Sequence, residues 1–111
     1  MDTVPYTIRM QGDTVTVDAF HPVPGLYVYL TPEQWQNPNH PYHWTIGHQS
    51  GYSIAAFERS VDALDAAEGL ADFTNWQRSA DELRTDVDPY DLRDLIEDRG
   101  GAFLSRQPVA A

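Results

Sequence analysis

Hydrophobic positions alternate with polar ones through the first half of the chain, then recur at helical spacing through the second. Tyr6, Ile8 and Met10 are apolar with polar residues between them, and Val15, Val17 and Ala19 repeat the pattern after Gln11-Gly12-Asp13. Period two marks a half-buried strand, and Gly12 suits the positive φ that a tight hairpin turn needs. Pro22, Pro24 and Gly25 interrupt the alternation, which Leu26-Tyr27-Val28-Tyr29-Leu30 resumes. Leu26, Val28 and Leu30 fall on one face of that strand, leaving Tyr27 and Tyr29 on the other as candidates for exposure. Residues Tyr42–Ile46 and Tyr52–Phe57 flank His48-Gln49-Ser50-Gly51 as a second hairpin, with Trp44 expected in the core beneath the helices.

From Ser60 the spacing changes. Ser60 is a suitable N-cap for a helix whose apolar stripe runs Val61, Leu64, Ala67, Leu70 and Ala71 toward Phe73. Ser79-Ala80-Asp81-Glu82 has the form of a capping box and opens a short helix carrying Leu83. Asp88-Pro89 places an N-cap before a proline at the first helical position. Leu92, Leu95 and Ile96 then give a buried face that Gly100-Gly101 terminates.

Strands followed by helices predict a single α+β domain spanning residues 1–111. Its antiparallel sheet has about five strands, two hairpins plus one strand, with two to three C-terminal helices packed on one face. Residues 1–58 are mainly strand, 59–101 mainly helix, and 102–111 a flexible tail. Residues 31–41, with three prolines, read as an irregular loop.

Composition narrows the function classes. At 111 residues the chain supports one modest core, hiding roughly 65% of its unfolded surface. It has no cysteine, which excludes disulfide scaffolds, thiolate metal sites and thiol nucleophiles. Seventeen acids face seven cations, all of them arginine, for a net charge of −10. That balance disfavours direct binding of nucleic acid and docking on anionic membranes. Met1–Pro5 has neither a basic nor an apolar leader segment, and no apolar run approaches membrane-span length, so a cytoplasmic location is expected.

Charge is concentrated late in the chain, with thirteen acids and six arginines in residues 58–111 against four and one before. Asp81, Glu82, Asp86, Asp91, Asp94 and Asp98 fall within 18 residues, and the last three share one helix face opposite Leu92, Leu95 and Ile96. Like charges so placed oppose helix formation, although a solvated face serves solubility and a lysine-poor, GC-rich coding sequence gives similar composition. Six of the thirteen aromatics, among them Tyr27, Tyr29 and Trp35, lie between residues 27 and 52. Far from any cation in sequence, they suit a protein interface better than base stacking.

Chemistry is less well marked. His40, His43 and His48 are weak candidate metal ligands, at a spacing that matches no established signature. His48, Ser50 and Ser53 are close in sequence, but no nucleophile elbow is present and no cofactor is expected. The leading expectation is a non-enzymatic acidic protein that inhibits or regulates a partner with a basic, possibly nucleic-acid-binding, surface. Phage counter-defence proteins and immunity proteins work by this logic, which includes nucleic-acid mimicry. The contact residues would be Asp81, Glu82, Asp86, Asp91, Asp94 and Asp98, with Tyr27, Tyr29 and Trp35, on a monomer or homodimer. The alternatives are a small enzyme or metal- or ligand-binding domain built on residues 40–52, and a structural or assembly protein.

Overall fold

A computed structural model describes residues 3–10, 12–32, 41–51 and 53–103. Strands β1 (Val4–Met10), β2 (Asp13–Val23), β3 (Leu26–Leu30), β4 (Trp44–His48) and β5 (Ser53–Phe57) precede helices α1 (Ser60–Leu70), α2 (Ala80–Asp86) and α3 (Pro89–Asp98). A two-residue strand β6 (Ala102–Phe103) follows. The sheet is an antiparallel meander in the order β1-β2-β3-β4-β5-β6, so each strand pairs with its neighbours in sequence. The α+β architecture read from the periodicity is the one observed. Ala102 and Phe103 are a correction, since they pair with Ala56 and Ala55 where a tail was expected. Residues 104–111 of that tail, and residues 33–40 of the loop, lie outside the described residues.

β2 continues through Pro22, which was expected to end it. Phe20 pairs with Val28 and Val23 with Leu26, so β2 carries one extra residue and Pro22 falls within the bulge. A bulge leaves a ladder donor unneeded, which is where proline is tolerated in a sheet. A second bulge, between Ile46 and Gly47, adds a residue to β5 and lets Ile54 join Ala55 and Phe57 in the core.

The helices pack on one face. Leu26, Val28, Ile46, Ala55 and Phe57 meet Ala63, Ala66, Ala67 and Leu70 of α1, Leu83 of α2, and Leu92 and Ile96 of α3. α1 lies over β3 on its alanines, while Val61 is 58% exposed, which corrects the expected stripe. Small side chains at that i, i+3, i+4, i+7 spacing let the helix backbone approach the sheet closely. Its N-cap is Arg59, with no side-chain cap bond, so Ser60 is the first helical residue and not the cap. Both later caps form as read. The Ser79 hydroxyl accepts from the Glu82 amide while Glu82 accepts from the Ser79 amide, and Asp88 accepts from the Tyr90 amide ahead of Pro89.

The opposite face holds a second, smaller core of Tyr6, Ile8, Ala19 and Tyr29. The β1–β2 hairpin lies against this face, so Tyr6 stacks on Tyr27 at 4.6 Å between ring centres and meets Tyr29 in a tilted contact at 5.3 Å. Tyr6 donates its hydroxyl to the His48 carbonyl at 2.6 Å. Burial, with Tyr29 and Tyr27 beside it, pushes the Tyr6 hydroxyl far above its usual range and keeps it a donor. Tyr6→Phe should therefore cost about 1–2 kcal/mol in urea unfolding, since Gly51 still donates to the same carbonyl. A loss below about 0.3 kcal/mol would show that the hydrogen bond does not form.

Candidate functional site

Each expected contact residue has a definite place. Tyr29 is 2% exposed, with its hydroxyl 3.2 Å from Ser53 Oγ, and burial raises its pKa. It belongs to the second core and cannot serve as a surface anchor. Leu30, placed inward by alternation, is 49% exposed. Tyr27 is half-buried, held between Tyr6 and His21, whose ring stacks on it at 4.3 Å. Trp35 and His40 lie outside the described residues. Trp44 is half-buried against the main core and stacks on Phe20.

Among the described residues, His43 and His48 do not converge. His43 precedes β4 and His48 ends it, on the order of 15 Å apart at strand rise. His48 is 3% exposed with both ring nitrogens engaged: Nε2 is 2.7 Å from the Trp76 carbonyl oxygen, and Nδ1 is 2.8 Å from Ser50 Oγ. The His43 Nε2 atom is buried without a hydrogen-bond partner among the described residues. Among those residues, no three histidine, aspartate or glutamate side chains stand close enough to hold a metal. No helix among them is long and apolar enough to cross a membrane.

His48 instead ties three segments together. The Trp76 carbonyl can only accept, so Nε2 carries the proton and Nδ1 receives the Ser50 amide at 3.2 Å. Burial lowers the ring's pKa below its ordinary 6.5, against the opposing pull of the Trp76 and Arg78 backbone. A depressed base contributes stability that is present above the unfolded pKa and lost as pH falls through the folded one. Thermal unfolding should thus show the His48 contribution intact at neutral pH and declining below 6.5, whereas His48→Gln should lack that component. An identical acid profile in the two proteins would exclude it.

The acids divide into two sets. On α2, Glu82 is drawn into the capping box and Asp86 pairs with Arg78, which also donates to Thr74. Asp81 is exposed in the first turn of the helix. On α3, Leu92 and Ile96 are buried, which fixes the helix phase and turns Asp91, Asp94 and Asp98 to solvent. These three make no ion pair or side-chain hydrogen bond among the described residues. Arg59 is turned to Asp62 and Arg99 to Asp65, while Arg93 lies 5.3 Å over the Tyr90 ring.

Compared with family models, with curated proteins and with solved structures, the chain matches none.

Tyr90 was missed from sequence. It is 67% exposed, in the first turn of the helix that carries the three carboxylates. A helical projection locates it, because two residues before Leu92 is about 200° of rotation from the buried face. The last turn of α3 holds Glu97 and Asp98 and no basic residue, an arrangement that opposes the helix dipole. Asp91, in the first turn, suits the dipole, whereas Asp98 gains nothing from it.

Proposed function

We propose that the protein is a non-enzymatic binding protein that engages a partner with a basic surface through the solvent face of α3. The observation that supports this most is the group of Asp91, Asp94 and Asp98, exposed on the helix that carries Tyr90 and with no ion pair among the described residues, while Arg93 lies over the Tyr90 ring. Carboxylates on a rigid helix attract a cationic surface at long range and set orientation, while an exposed tyrosine supplies the apolar anchor that interface cores favour. A groove that normally receives phosphates is the partner surface such spacing suits, which makes inhibition of a nucleic-acid-handling protein the specific form of the reading. α2 contributes less than the sequence suggested, because Glu82 and Asp86 are already engaged.

The test compares the native protein with Asp91→Asn/Asp94→Asn/Asp98→Asn as bait in extracts of its natural host. The native bait should recover a basic protein that the variant loses, and raised salt should release it. Equal recovery by the two baits would refute the proposal.

A further inference from the structure

The turn after β4 fastens the sheet to the segment that leads into α2, and the ring of His48 lies at its base. Gln49 donates its backbone amide to the Gly25 carbonyl at 2.9 Å, and Gly51 donates to the His48 carbonyl at 2.8 Å. From the same turn, the exposed Gln49 side chain donates to the Gln77 carbonyl at 2.7 Å and reaches the Arg78 carbonyl at 3.4 Å. Those carbonyls immediately precede Ser79, the N-cap of α2. The turn's conformation in turn depends on Nδ1 of His48 being a lone pair, because the Ser50 amide points at it.

We infer that this turn is an acid-sensitive switch: proton uptake by the His48 ring expels the Ser50 amide from Nδ1 and releases the hold of Gln49 on the segment leading into α2. Protonation adds N–H to Nδ1 while Nε2–H continues to donate to Trp76, so the change falls on the turn and not on the buried tryptophan. The Ser50 hydroxyl can rotate to accept from the new N–H. The Ser50 amide cannot, and two N–H groups 3.2 Å apart must separate.

The described groups packed around the ring are neutral or already paired. From β1, Tyr6 donates to the His48 carbonyl and stays neutral. From β3, uncharged Leu26 pairs with His48, and the hydroxyl of Tyr29 is directed to Ser53. From the 71–79 segment, the Arg78 guanidinium is held by Asp86 and Thr74. Burial disfavours the charged ring, so the transition lies below the ordinary histidine range.

A nuclear magnetic resonance titration of the full chain from neutral to mildly acidic pH tests this. The Ser50 and Gly51 amides should shift along a curve with the midpoint of the His48 ring, and protection of the Gln49 side-chain amide, relative to its intrinsic exchange rate at each pH, should fall on the order of tenfold across it. His48→Gln keeps a donor toward Trp76 without a titrating group and should show neither change. The inference is overturned if the ring titrates while the Ser50 amide stays still, or if Gln49 keeps its protection once the ring is charged. It is equally overturned if His48→Gln shows the same changes. Because the midpoints are compared within the native protein, the result stands even where the variant is unstable.

Discussion

Trp76→Ala should lower the unfolding free energy by about 3–5 kcal/mol, a large share of what a domain of this size has. Trp76 is 3% exposed and belongs to the main core together with Leu70, Leu83 and Ile96. Its indole N–H donates to the Leu70 carbonyl at 2.7 Å, capping the end of α1, and its ring stacks against Phe73. Its own carbonyl receives His48 Nε2–H and sits against Gly25, where a Cβ would come within 2.3 Å of it. The alanine variant removes the indole from the core and one of two donors to the Leu70 carbonyl, which keeps the Phe73 amide, so the cavity term dominates the loss. Trp76→Phe keeps most of the ring and should lose about 1–3 kcal/mol. Urea unfolding followed by circular dichroism separates the two. An alanine variant within about 1 kcal/mol of the native protein would mean that residues 71–79 are not fastened to the core in this way.

Gly47→Ala should be nearly as damaging, at about 3 kcal/mol, for the opposite reason of overpacking. A Cβ at this position would lie 2.4 Å from the Tyr6 hydroxyl oxygen, 2.9 Å from Tyr6 Cζ and 3.0 Å from Tyr29 Cε1. The methyl group must displace the tyrosine that bonds the His48 carbonyl, and with it the β1–β2 hairpin from the sheet. The two positions share one contact, so their effects should not add. Gly47→Ala/Tyr6→Phe should be no less stable than Gly47→Ala alone, because the displaced hydroxyl is already gone. Additive losses in a double-mutant cycle would show that the hairpin does not pack over Gly47.

Much of the fold was legible because its signals are local. Alternation at Tyr6–Met10 and Thr14–Ala19 located the first hairpin, and Ser79–Glu82 and Asp88-Pro89 marked the starts of two helices by their capping chemistry. What escaped depends on contacts distant in sequence. Alternation says which residues share a face but not whether both faces are covered, and so Tyr29 was assigned to solvent when Tyr6 lies over it. Pro22 stops a regular strand but not a bulged one. In α1 the alanines, not the larger Val61, face the sheet, because close approach of the helix outweighs side-chain size. Trp76 stands outside any periodic segment, so its burial had no pattern to announce it. For the candidate site, helical spacing correctly grouped Asp91, Asp94 and Asp98 on one exposed face. The pairing of Asp86 with Arg78 and the exposure of Tyr90 needed three dimensions.

The central claim is that the α3 carboxylates form a docking surface, and the affinity for the recovered partner as a function of ionic strength tests it most directly. Binding by the native protein should weaken about tenfold or more as salt rises from low to above-physiological levels, as steered association between opposite charges does. Asp91→Asn/Asp94→Asn/Asp98→Asn should keep or slightly gain folding stability, because repulsion within α3 is relieved, yet bind weakly and with little salt dependence. A correctly folded triple variant with native affinity and the native salt dependence would contradict the claim.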